Sequence, residues 1–129
     1  MANEHILIVD DDKDLVAALT AVLQSAGYRI TWAANGAEAW EKAQQSPPDL
    51  AIVDVIMDTV AEGVRVTQRF KTDEKLKKVP ILMLTAIRQK LGLDIQPQTE
   101  EGYLYLPVDK FMEKPVDPKV LLKAVAELL

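Results

Sequence analysis

Short apolar runs alternate along the chain with longer segments whose apolar residues recur every three or four positions. His5–Asp10 (HILIVD) is too short for a helix and rich in β-branched residues, so it reads as a buried strand. From Lys13 to Ala26 the spacing changes, and Leu15, Val16, Leu19, Val22, Leu23 and Ala26 fall on one helical face. Asp12 stands where an N-cap is needed, and Gly27 is placed to end the helix in a left-handed turn. Tyr28–Ala33 predicts a second strand, closed by the turn pair Asn35-Gly36. Ala37–Gln45 predicts a short helix with Trp40 and Ala43 on one face, stopped by Pro47-Pro48. Asp49–Asp54 (DLAIVD) is a third strand, apolar up to its terminal aspartate. A polar loop to Gly63 leads into a helical stretch ending near Lys78, its buried side including Val66, Phe70 and Leu76. Pro80–Thr85 predicts a fourth strand and Lys110–Lys114 a fifth, weaker one. The last helix is marked by Asp117 as N-cap and Pro118 at its first position, with Val120, Leu121, Ala124, Val125 and Leu128 along one face.

Strands this uniformly apolar belong in a parallel sheet covered on both faces. Five strand–helix units predict a flavodoxin-like α/β fold, a doubly wound five-stranded parallel sheet of order 2-1-3-4-5. Between Arg88 and Pro107, the residues Gly92, Pro97, Gly102 and Pro107 interrupt any helical period. The fourth helix is therefore expected to be irregular or missing.

Composition narrows the chemistry. Apolar residues make up 49% and charged residues 27% of the 129, the profile of one soluble globular domain. The absence of cysteine excludes disulfides, zinc ribbons and thiol nucleophiles. The single histidine, His5, excludes any site needing two imidazoles and reads as a partly exposed strand-end residue. A formal charge of −5 disfavours direct nucleic-acid binding. The longest aliphatic stretches, Ile6–Val9 and Ile81–Leu84, are far too short to span a membrane, and the N-terminus has no signal-peptide pattern. A cytoplasmic location without membrane insertion is expected. Trp32 and Trp40 read as packing residues.

Function in an open α/β sheet collects at the C-terminal ends of the strands, near the point where strand order reverses. Strand one ends in Asp10-Asp11-Asp12, strand three in Asp54, strand four in Thr85 and strand five in Lys114-Pro115. The expected order brings these acids, a hydroxyl and an ammonium to one rim. Clustered carboxylates repel and need a cation to coexist, and a set of oxygen ligands favours Mg²⁺. Taken singly, each residue has an ordinary explanation: an acid can cap a helix, and Thr85 and Lys114 can simply be solvated. Their joint placement carries the case. A hard cation, an ammonium and a hydroxyl stabilise a phosphoryl group in transfer, and an ionised carboxylate can attack phosphorus directly.

These motifs, ILIVDDD, PDLAIVD, LTA and KP in that order, resemble the response-regulator receiver domains of two-component signalling over essentially the whole chain. The resemblance implies a single receiver domain over residues 1–129, with no output domain in this chain. By position, Asp54 matches the phosphoacceptor, whose carboxylate also belongs to the metal-binding set. Asp10 and Asp11 match the acidic pair, Asp11 ligating Mg²⁺ directly and Asp10 mainly through water. Ile56 matches the residue whose backbone carbonyl reaches the metal. Thr85 matches the switch hydroxyl, Ala86 the small residue beside it, Phe111 the aromatic switch position, and Lys114 the phosphate-contacting lysine. The implied function is a phosphorylation-dependent signalling module. It takes a phosphoryl group from a histidine kinase or phosphotransfer protein onto Asp54 and switches a surface for an unidentified downstream protein. It is then no enzyme beyond catalysing its own phosphorylation and dephosphorylation. Ile56 and Ile87 match positions governing water access, and their apolar side chains imply slow loss of the phosphoryl group.

Departures from the family pattern concentrate in two places. Met57 is followed by Asp58 where proline is usual, and Gly63 arrives one residue late. The stretch from Thr85 to Lys114 is longer than usual and lacks the Gly-Ala turn before strand five. Tyr103-Leu104-Tyr105-Leu106 within it is a candidate aromatic patch for a partner, or equally a cover for the sheet edge. Two other readings compete. Asp10-Asp11-Asp12 mimics the DxD pair of haloacid-dehalogenase-type phosphatases, although the acid on strand three and the lack of a cap insertion count against it. A phosphorylation-independent scaffold has no use for the full acid–Thr–Lys set.

Overall fold

Every residue of β1 (His5–Val9) and β3 (Leu50–Asp54) is buried, as their unbroken apolar runs require. The computed structural model describes residues 3–54, 60–85, 109–113 and 116–129. Its remaining strands are β2 (Arg29–Ala33), β4 (Ile81–Thr85) and β5 (Lys110–Glu113). They form one sheet of order β2-β1-β3-β4-β5 in which every pair is parallel. This is the doubly wound flavodoxin-like arrangement. The described helices are α1 (Lys13–Ser25), α2 (Gly36–Gln45), α3 (Val60–Thr72) and α4 (Pro118–Leu128). The segment expected to lack a regular fourth helix lies outside the described residues, as do Ile56, Ala86, Ile87, Tyr103–Leu106 and Lys114.

Successive strand residues face opposite sides of the sheet, and the core divides accordingly. Leu7, Val9, Ala51, Val53, Ile81 and Met83 join Ala39 and Ala43 of α2 and Val66 and Phe70 of α3 in one cluster. Ile6, Ile8, Leu50, Ile52, Leu82 and Leu84 join Val16, Leu19 and Leu23 of α1 and Leu121, Ala124 and Val125 of α4 in the other. Both faces of the central strands are covered, so β1, β3 and β4 carry no polar residue between their end positions. Alanines at 39 and 43 are fully buried, which seats α2 close to the sheet.

Local chemistry sets the boundaries. Asp12 caps α1, its carboxylate accepting from Asp14 N at 3.0 Å and Leu15 N at 3.2 Å. Asn35 and Asp117 cap α2 and α4 in the same way. Gly27 follows α1 with φ 95°, the left-handed conformation that a Cβ disfavours. Gly27→Ala is expected to lower unfolding stability by about 1–2 kcal/mol, readable as a lower midpoint in urea.

At the N-terminal edge of the sheet, two aspartates tie neighbouring strands together. Asp49, just before β3, accepts from His5 N at 2.8 Å; Asp109, just before β5, accepts from Ile81 N at 2.8 Å. Each satisfies the first N–H of the adjoining strand. Asp109 also accepts from Lys71 Nζ at 2.9 Å. At the other side of β5, Lys110 donates to Glu127 of α4 at 3.0 Å and holds that exposed carboxyl below its ordinary value.

Four local expectations differ from the structure. α3 ends at Thr72, not near Lys78, because the Asp73 carboxylate takes the N–H groups of Lys75 and Leu76 and builds a turn. Leu76 is still buried, but from that turn; Gly63 lies inside the helix that begins at Val60. His5 is buried, at 6% exposure, rather than partly exposed, and its Nε2 lies 2.6 Å from Thr31 Oγ1 on β2. Val120 is 52% exposed, since the buried stripe of α4 runs through 121, 124 and 125, and residue 120 is one step off it.

Candidate functional site

β1 and β3 are adjacent, with Val9 opposite Val53, so the residues ending them emerge side by side. Asp10 follows β1 and Asp54 ends β3; both are buried, at 1% and 3% exposure. Asp11 stands beside them, exposed. One carboxylate oxygen from each of the three lies within 4.8 Å of the others. Thr85 ends β4 one residue past Leu84, the register partner of Asp54. Phe111 lies in β5 opposite Met83. β5 ends at Glu113, one residue before Lys114 in the chain. The topology thus gathers Asp10, Asp11, Asp54 and Thr85 at the C-terminal rim.

The three consecutive aspartates divide their work. Asp12 is committed to the helix cap, which turns its carboxylate to α1. Asp10 is held by its own backbone: Asp10 N donates to Ala33 O at 3.0 Å, and its Oδ1 accepts from Asp12 N at 2.9 Å. Asp11 is left to face solvent beside the buried pair. Trp32, which reads from sequence as packing alone, also donates its indole N–H to Asp10 O at 2.7 Å. A tryptophan near a strand end was the only sequence signal for it. Trp40 does pack against the core and carries the Arg69 guanidinium 4.1 Å from its ring centroid.

Two carboxylate charges about 5 Å apart repel by roughly 3 kcal/mol at an effective dielectric constant near 20. Three of them, two withdrawn from water, form a donor set suited to a hard divalent cation, and the all-oxygen chemistry fits Mg²⁺. Without a cation, Asp11→Asn is expected to raise stability by about 1 kcal/mol, solvent screening limiting the gain. Thermal unfolding at low ionic strength in EDTA checks the sign, and added Mg²⁺ should stabilise the wild type more than the variant.

A family profile described as the response regulator receiver domain matches residues 6–126. The chain belongs to this family. As a receiver domain it is a module of two-component signalling. It is 32% identical over 131 residues to the alkaline phosphatase synthesis transcriptional regulatory protein PhoP of Bacillus subtilis, covering 98% of this chain and 49% of that protein. It is 29% identical to protein PilH of Pseudomonas aeruginosa, with 97% of both covered. The chain spans about half the length of the first curated relatives it matches. Among solved structures, the chemotaxis response regulator CheY4 of Vibrio cholerae superposes with a TM-score of 0.80 at 30% identity, covering 98% of this receiver and 99% of that chain. Among the described residues, no helix of the receiver is long and apolar enough to cross a membrane.

Proposed function

We propose that this receiver takes a phosphoryl group onto Asp54 from the phosphohistidine of a sensor histidine kinase or phosphotransfer protein. The observation that carries the reading is the buried Asp54 carboxylate beside Asp10 and Asp11 at the rim. An Asp54 oxygen attacks phosphorus, the phosphorus–nitrogen bond to the donor breaks, and its electron pair returns to the imidazole, which takes up a proton. The products are an aspartyl phosphate and a neutral histidine. Asp10, Asp11 and Asp54 would hold Mg²⁺, with the backbone carbonyl of Ile56 as a further ligand. Mg²⁺ bound there supplies positive charge to the phosphoryl oxygens. Lys114 supplies a second positive charge and Thr85 a hydroxyl donor, while Asp12 keeps the start of α1 in place.

Thr85 and Phe111 then change conformation with the charge at Asp54 and alter a protein-binding surface. The domain catalyses only its own phosphorylation and dephosphorylation. It works in the cytoplasm through protein partners and makes no direct contact with nucleic acid, in keeping with its net charge of −5. Intact mass after incubation with acetyl phosphate tests the chemistry. A single phosphoryl adduct that forms with Mg²⁺ and fails in EDTA is the expected result. No adduct in folded protein would replace this reading with a phosphorylation-independent scaffold.

A further inference from the structure

We propose that the Trp32 indole is a positioning group for the acidic cluster, holding the Asp10–Asp11 peptide so that both carboxylates face one divalent cation. The inference rests on reading that cluster as a cation site. Trp32 lies on β2 opposite Ile8 of β1, two residues short of Asp10. Its side chain packs against the same core cluster as Leu15 of α1, and its indole N–H reaches past the end of β1 to Asp10 O. Asp10 N donates to Ala33 O. Consecutive residues of β2 thus grip both backbone polar groups of Asp10, one with its main chain and one with its side chain.

The planar peptide makes this grip count. The Asp10 carbonyl and the Asp11 N–H share one plane, so fixing the carbonyl fixes the direction in which Asp11 leaves. Asp11 is exposed and has no core packing to orient it, so its placement must come from the backbone. Trp32 is itself restrained, because its own carbonyl accepts from Lys42 Nζ of α2, and Lys42 pairs with Glu38 at 2.9 Å. A buried indole N–H commonly finds some acceptor, so the bond alone does not separate positioning from packing. Trp32→Phe separates them, since it keeps an aromatic side chain and removes the donor.

The test titrates wild type, Asp11→Asn and Trp32→Phe with Mg²⁺. Affinity is read by calorimetry, the indole N–H signals by ¹H–¹⁵N NMR, and folding by thermal unfolding. In the wild type, the Trp32 signal is expected to move in step with saturation while that of Trp40 stays still; Asp11→Asn should abolish the movement. Folded Trp32→Phe should bind Mg²⁺ about tenfold more weakly, the scale on which outer partners of metal ligands act. Unchanged affinity in folded Trp32→Phe, or a Trp32 signal that stays still at saturation, overturns the proposal while leaving the cation site standing. Should wild type bind no Mg²⁺, the cation reading falls and takes this proposal with it. If Trp32→Phe does not fold, the wild-type titration decides alone: movement that Asp11→Asn abolishes supports positioning, and stillness overturns it.

Discussion

Asp54→Asn is expected to abolish phosphoryl uptake from acetyl phosphate completely. An amide oxygen is close in shape to a carboxylate oxygen, but it carries no full charge and is a poor nucleophile towards phosphorus. The substitution also removes one of three clustered charges, two of which are buried, so the metal-free variant should be folded and no less stable than wild type. Loss of the adduct with retained cooperative unfolding is therefore a statement about chemistry, not folding. Intact mass with Mg²⁺ and with EDTA gives the result directly. An adduct that survives in Asp54→Asn but vanishes in Asp10→Asn would transfer the nucleophile to the end of β1. Sustained turnover of a phosphate ester that Asp10→Asn abolishes would then favour the phosphatase reading.

The largest effect on stability is expected from Phe70→Ala. Phe70 is fully buried on α3, in the cluster that packs against Leu7, Val9, Val53, Ile81 and Met83 of the sheet. Its removal loses the transfer free energy of the ring and leaves a cavity. The same cluster contains Ala33, Ala39, Ala43 and Ala51, which have no side-chain length with which to fill the space. The cost should therefore fall in the upper part of the usual range, about 3–5 kcal/mol. Against a typical domain stability of ~5–15 kcal/mol, that is a large fraction. Urea unfolding should show a much lower midpoint with an unchanged slope. A loss below ~2 kcal/mol would mean that α3 settles onto the sheet and closes the cavity.

Much of the architecture is written in the spacing of apolar residues. Unbroken runs such as Ile6–Val9 and Leu50–Val53 announce strands buried on both faces, because a strand with one wet face would alternate. The helices α1 and α4 are equally plain, since Asp12 and Asp117 cap them and an apolar stripe runs along each. Boundaries set by side chains competing for backbone N–H groups are less plain. Apolar spacing carried the predicted third helix on towards Lys78, but the Asp73 carboxylate offers Lys75 and Leu76 a turn instead. Leu76 is buried either way, which is why the periodicity could not separate the two.

The acids at the strand ends were also legible, through the rule that open α/β sheets place function at the C-terminal edge. The division of labour among Asp10, Asp11 and Asp12 was not, because each is the same residue type at the same junction. The sequence by itself determined the element order, the two-faced burial of the sheet and the set of polar residues available at its rim. These follow from local periodicity and from where each apolar run stops. Tertiary structure alone decided which acids stand together, that Asp12 turns away to cap α1, and that Trp32 reaches the Asp10 carbonyl. Those outcomes depend on the register of β2 and β3 against β1. Contacts across strands are set by how far one strand runs past another, and no spacing within a single segment records that distance.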